Sequence, residues 1–154
     1  MENMKRLEID PEEIDIIVLS HIHGDHTGGF EEYLKFNEKV TVYYPYSFPQ
    51  GFQIHLQRCG IKTAQLHDAI KICIGVYSTG VLGSGIKEQL PVIHTDKGII
   101  VITGCAHPGI VKIVNTARDL IGADLLLVMG GSHLAGMSKP ESAEIVLYFG
   151  KSGV

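Results

Sequence analysis

The chain alternates short apolar runs with stretches of helical periodicity. Ile14 to Leu19 is β-branched and apolar, and reads as a buried strand ending at Ser20. Phe30, Tyr33 and Leu34 recur on one face of a helix over Phe30–Phe36. Val40–Tyr44 is a second strand, stopped by Pro45, and Phe52–Arg58 fits one or two helical turns. Ala69–Ser78 reads as one strand bent at Gly75. Glu88–His94 and Gly98–Thr103 read as two strands joined at Asp96-Lys97-Gly98; the second is nearly all β-branched and fits the interior of a sheet. Pro108 starts a helix to about Ile121, with Ile110, Ile113, Val114, Ala117 and Leu120 on one face. Asp124–Met129 reads as a buried strand, and Pro140 opens a last helix to about Phe149. Near the start, Asp10 caps a turn that has Pro11 in its first position.

Strand–helix alternation predicts a layered α/β protein, and 154 residues suit a single domain over 1–154. Three apolar strands run into tight loops that hold histidine: 21–26, 107 and 133. Ligand sites in such folds gather at the carboxyl ends of strands, so the three loops are expected to share one sheet edge.

Those loops carry the chemistry. His21-Ile22-His23-Gly24-Asp25-His26 places four ligand-type side chains within six residues. Histidines two apart in an extended loop can converge on one ion, and Asp25 and His26 turn with the chain toward a second. Imidazole nitrogen with a carboxylate suits zinc first, with iron and manganese as alternatives, as one or two divalent ions. Gly24 is read as the residue that lets the loop turn tightly, and Gly28-Gly29 as bringing the next helix close. His107 and His133 sit at strand ends among glycines and are further candidate ligands. His94 reads as a surface residue; His55 and His67 read as surface or substrate-pocket residues. Cys105 is open between ligand, nucleophile and packing.

Composition narrows the classes. Thirteen basic against 17 acidic residues leave a net charge of −4, which is no electrostatic footprint for nucleic acid. No apolar run is long enough to span a membrane and no apolar signal core opens the chain, so a cytoplasmic protein is expected. The three cysteines have irregular spacing and predict no disulfide framework. The glycine-rich segments match neither a phosphate loop nor a dinucleotide fingerprint.

The stretch His21 to Gly29 resembles the signature loop of the metallo-β-lactamase superfamily. Thr103–Val111 and Gly130-Gly131-Ser132-His133-Leu134, with Ser78-Thr79-Gly80 and Glu88-Gln89, resemble one branch of it. That branch holds proteins known as dihydropteroate-type or ribofuranosylaminobenzene-phosphate-linked pterin synthases, and metal-dependent hydrolases. The resemblance covers nearly the whole chain. It implies a metallo-β-lactamase-like αββα sandwich with a dinuclear site, His21, His23 and His107 holding one metal and Asp25 and His26 helping to hold the second. Asp25 would also orient water. Where most members have a bridging Asp this chain has Gly-Gly-Ser-His, and His133 is the candidate to stand there.

Members of the superfamily begin with a β-rich segment and end with a strand carrying one more ligand histidine. Against that pattern the chain is expected to be a partial domain, lacking both flanks. The implied activity is hydrolysis of an ester- or phosphoester-type small molecule by metal-activated water. Two alternatives stand beside it: transfer of a dihydropterin-methyl group to an aminobenzoate derivative, and an inactive metal-binding fragment or subunit. Uncovered sheet edges in a partial domain would favour a homo-oligomer.

Overall fold

The computed structural model describes residues 1–152. It divides into two compact units, Met1–His67 and Asp68–Val154.

The first unit opens with α1 (Glu2–Arg6) and a 3-10 turn over Pro11–Glu13, whose Asp10 cap accepts a hydrogen bond from the Glu12 amide at 2.9 Å. Then come β1 (Ile16–Val18), α2 (Gly24–Thr27), α3 (Phe30–Leu34), β2 (Thr41–Pro45), α4 (Gln50–Arg58) and β3 (Lys62–Leu66). The three strands form a parallel sheet in the order β1-β2-β3, with Ile16 opposite Thr41 and Val42 opposite Thr63. Helices fall between successive strands because parallel neighbours cannot be joined by a tight turn. Phe30, Tyr33 and Leu34 are buried with Val40, Val42, Tyr44, Phe48 and Leu56. That is the face the helical spacing predicted for Phe30–Phe36. Asn37 ties this helix to the 3-10 turn, donating to Pro11 O at 3.0 Å and Ile14 O at 2.8 Å.

The second unit runs β4 (Ile70–Cys73), β5 (Val76–Ser78), β6 (Pro91–Thr95), β7 (Gly98–Thr103), α5 (Ile110–Ile121), β8 (Leu125–Gly130) and α6 (Lys139–Ser152). Its five-stranded sheet has the order β4-β5-β6-β7-β8, antiparallel except for the parallel pair β7–β8 that α5 connects. The β-branched β7 lies between two strands, as its composition predicted. Ile110, Ile113, Val114 and Ala117 of α5 are buried together with Val92, Ile99 and Val101. Gly122, in the left-handed region at φ 71°, ends the helix.

Three expectations need correction, and one strand had no sequence signal. Ala69–Ser78 is a hairpin of two strands, because Gly75 takes φ 73° and turns the chain back. Lys62–Leu66 is a strand that its mixed polarity concealed; half of it stays accessible while β2 supplies its backbone partners. Asp124–Met129 is extended, as expected, but in it only Leu125 is buried. Leu126, Leu127 and Met129 are exposed, on a strand that pairs with β7 alone among the described residues. The three histidine loops do not leave one sheet: 21–26 follows β1 of the parallel sheet, while 107 and 133 follow β7 and β8 of the other. No helix among the described residues is long and apolar enough to cross a membrane.

Candidate metal centre

In the first unit the chain leaves β1 through Leu19 and Ser20, and His21 is wholly buried. Ser20 Oγ lies 3.0 Å from His21 Nδ1 and holds the ring's orientation. His21 meets the rings of both other histidines of the cluster, with centroids 4.7 Å from His23 and 4.2 Å from His26. The contacts are edge-on and tilted rather than stacked.

The segment is less extended than expected. His23 is the N-cap of α2, in extended conformation, and Asp25 and His26 lie inside that short helix. Asp25 Oδ2 sits 3.5 Å from His26 Nε2, with the Asp25 side chain 73 % exposed. The Thr27 hydroxyl donates to His23 O at 3.1 Å and closes the turn. Gly24 does not have the role expected of it, since its backbone is not left-handed and a side chain there would meet nothing. Gly28 is the constrained position: a Cβ would come 2.6 Å from Gly24 O.

In the second unit β7 and β8 are parallel and in register, Thr103 opposite Gly130. Their following loops therefore emerge side by side. His107 and His133 meet there, ring centroids 4.5 Å apart. Two residues of these loops, Ala106 at φ 61° and His133 at φ 50°, occupy the left-handed region without being glycine. Such strain persists only where the surroundings enforce it, and it concentrates at functional sites. The surroundings are visible. Thr103 Oγ1 donates to Gly131 O at 2.7 Å and Gly131 N donates to Gly104 O at 3.0 Å, locking the two loops together. A Cβ at Gly131 would come 2.5 Å from Gly104 O, so only glycine permits this approach.

The main brace is Glu88, which is wholly buried. Its Oε1 accepts from the amides of Gly104 and Cys105 at 3.0 Å and of Ala106 at 3.3 Å, and its Oε2 accepts from the His107 amide at 2.9 Å. One carboxylate thus gathers four successive N–H groups and fixes the backbone that presents His107. Ser78 Oγ donates to Gln89 Oε1 at 2.8 Å beside it. The residue pattern starts a strand at Glu88 and the family resemblance includes Glu88-Gln89, but neither gives its carboxylate this bracing role. Its partners lie 16–19 positions away, and no local spacing marks such a contact.

Of the remaining histidines, His94 and His67 are exposed; His94 is thus at the surface, as expected. His67 stacks on Tyr46 at 4.2 Å. Histidine nitrogens and the Cys105 sulfur are donors that could hold a transition metal.

The metallo-beta-lactamase superfamily model matches residues 1–150. The chain belongs to the metallo-beta-lactamase superfamily. It is similar to the 7,8-dihydropterin-6-methyl-4-(beta-D-ribofuranosyl)-aminobenzene-5'-phosphate synthase of Methanocaldococcus jannaschii, 27 % identical over 197 aligned positions, which cover 99 % of this chain and 67 % of the relative. Its fold is that of the solved structure of Tm1679, described as a metal-dependent hydrolase of the beta-lactamase superfamily. There the TM-score is 0.75 at 22 % identity, over 99 % of this chain and 70 % of the other. A quorum-quenching N-acyl homoserine lactone lactonase shares the fold at TM-score 0.55 and 13 % identity, over 90 % of this chain and 67 % of the lactonase. The chain spans about two thirds of the length of these proteins.

Proposed function

We propose that this superfamily member is a zinc-dependent hydrolase acting on a small ester- or phosphoester-type molecule. The observation that carries the reading is the histidine cluster at the end of β1, where the His23 and His26 rings lie 4.7 and 4.2 Å from that of His21 and a carboxylate sits next to His26. Nitrogen donors with one carboxylate are the set a divalent transition metal takes. When bound, such a metal supplies Lewis-acid chemistry: it makes water nucleophilic near neutral pH and stabilises developing negative charge.

In this reading His21 and His23 are ligands of one ion and Asp25 and His26 serve another, while His107 and His133 stay candidate ligands on the strength of the family resemblance. The family resemblance supports the division between the two ions. Ser20 holds His21 through Nδ1, so Nε2 is the ligating atom, following the general rule that the other ring nitrogen of a metal ligand is hydrogen-bonded. Glu88 plays the corresponding part for His107 through the backbone. Asp25, exposed beside His26, would orient the attacking water.

A second reading rests on the Methanocaldococcus relative: a pterin-linked transfer to an aminobenzoate derivative at the same site. A panel of ester, lactone and phosphoester substrates, run beside a pterin condensation assay, separates the two. The hydrolase reading expects turnover on the panel that is lost on chelation and in His23→Ala. Turnover that survives either treatment contradicts it, and condensation without hydrolysis selects the second reading. Asp25→Asn is expected to lower kcat about 100-fold while the first ion is retained; an unchanged kcat removes Asp25 from the chemistry.

A further inference from the structure

A small polar cavity lies in the second unit, beside the backbone that presents His107. It has a volume of about 190 Å³ and is lined by the loop 83–86, by His107 and Pro108, and by Lys112 of α5. Glu88 builds it. The Glu88 backbone closes the loop, with Leu82 N donating to Glu88 O at 2.8 Å and Glu88 N donating to Leu82 O at 3.0 Å. Its side chain holds the amides of residues 104–107, so one residue ties both walls. Gly83 lets the walls meet: at φ 96° it sits where a Cβ would come 2.9 Å from Ile86 O and 3.4 Å from Pro108 Cγ. Among the described residues no acidic side chain lines the cavity, and Lys112 is in no ion pair.

We propose that this cavity binds the phosphate group of a phosphorylated small molecule, held by the Lys112 ammonium and the Ser84 hydroxyl. That this molecule is the substrate rests on the hydrolase reading, because His107 lines the same cavity. The lining offers donors from opposite walls. Lys112 supplies a point charge of the kind that binds phosphate, and Ser84 donates from the loop. The start of α5, which no side chain caps, adds a field that favours an anion. A phosphoryl group presents three oxygens in three directions and so engages several walls at once, whereas a planar carboxylate presents two. The volume fits one such group with a few waters, and lies below the roughly 300 Å³ of a site that encloses a whole drug-sized ligand. The rest of the molecule therefore projects out of the cavity. Gly83-Ser84-Gly85 does not have the spacing of a phosphate loop. The Glu88 tether, not a local motif, brings it to the start of α5.

Phosphate titration tests this without metal or turnover. The full chain, stripped of metal, is titrated with inorganic phosphate and binding is followed by phosphorus NMR. Lys112→Ala is expected to weaken binding about tenfold or more and Ser84→Ala about threefold, while Lys112→Arg stays within about threefold of wild type. Lys97→Ala, at an exposed turn, should stay within about twofold. Lys112 is exposed, so its variants should keep the fold, which the unfolding midpoint checks. Phenyl phosphate should bind at least as tightly as free phosphate, and acetate about tenfold or more weakly. Absence of saturable phosphate binding would overturn the proposal, as would acetate binding as tight as phosphate. Binding unchanged in Lys112→Ala, or lost in His23→Ala, would put the anion elsewhere and overturn it too. Exclusion of phenyl phosphate would leave a site for the free ion and refute a phosphorylated molecule as its ligand. Metal is absent throughout, so failure of the hydrolase reading would not move these results.

Discussion

Glu88 shows what a single residue contributes that its neighbours in sequence do not announce. A buried carboxylate is costly unless its oxygens are satisfied, and here four amides satisfy it while it orders the backbone around the strained Ala106. Glu88→Ala leaves those amides buried without their acceptor, so it should destabilise the protein by about 3 kcal/mol or more in denaturant unfolding. Glu88→Gln keeps the shape but turns an N–H₂ toward N–H donors, and should recover little of the loss. An Ala variant within about 0.5 kcal/mol of wild type would mean the loop is held by something else. The histidines at 21, 23, 26, 107 and 133 were legible as candidate ligands because ligand-type residues crowd at strand ends. Glu88, Ser20 and Thr103 were not, because their roles come from tertiary pairing. Thr103 reaches Gly131, 28 positions on, and leaves no periodic trace.

At the level of elements, strongly amphipathic segments were readable and weakly patterned ones were not. The expected helix from Pro108 exists as α5, starting two residues later, and four of the five predicted apolar positions are buried. Ile113 is wholly buried in that face, so Ile113→Ala should cost about 2–5 kcal/mol by thermal or chemical unfolding. A loss below about 1 kcal/mol would show that α5 is loosely packed. β3 escaped notice because its side chains alternate without a clear apolar face, and β8 looked buried because six apolar or small residues say nothing of position in a sheet. α6 begins with a reciprocal cap, Ser138 N and Oγ both donating to Glu141 Oε2 at 2.9 and 2.7 Å. Those hydrogen bonds, side chain first and backbone second, hold the Glu141 carboxyl below its ordinary value. The sign follows: the cap's contribution is present above the ordinary carboxylate pKa and is lost as pH falls through the lowered one. Amide exchange in the first turn of α6 should therefore accelerate on acidification, and Glu141→Gln should remove that pH dependence. Acceleration of equal size in the variant would assign it to another group.

For the whole molecule, the superfamily fold was legible from the signature loop and two strand-end histidines, and it holds over a chain about two thirds as long as its relatives. The division into two sheets was not legible from the pattern alone. The residues count three strand-end loops but do not say which sheet each leaves, and 21–26 belongs to one unit while 107 and 133 belong to the other. The reading of the whole molecule rests on metal binding by the signature-loop histidines. Transition-metal content tests this, measured on protein purified without added metal and again after reconstitution, in wild type and in His23→Ala. About one equivalent or more is expected in wild type after reconstitution, with a loss of that metal in His23→Ala. Less than about half an equivalent in wild type, with no gain on reconstitution, would contradict it, as would an undiminished content in His23→Ala.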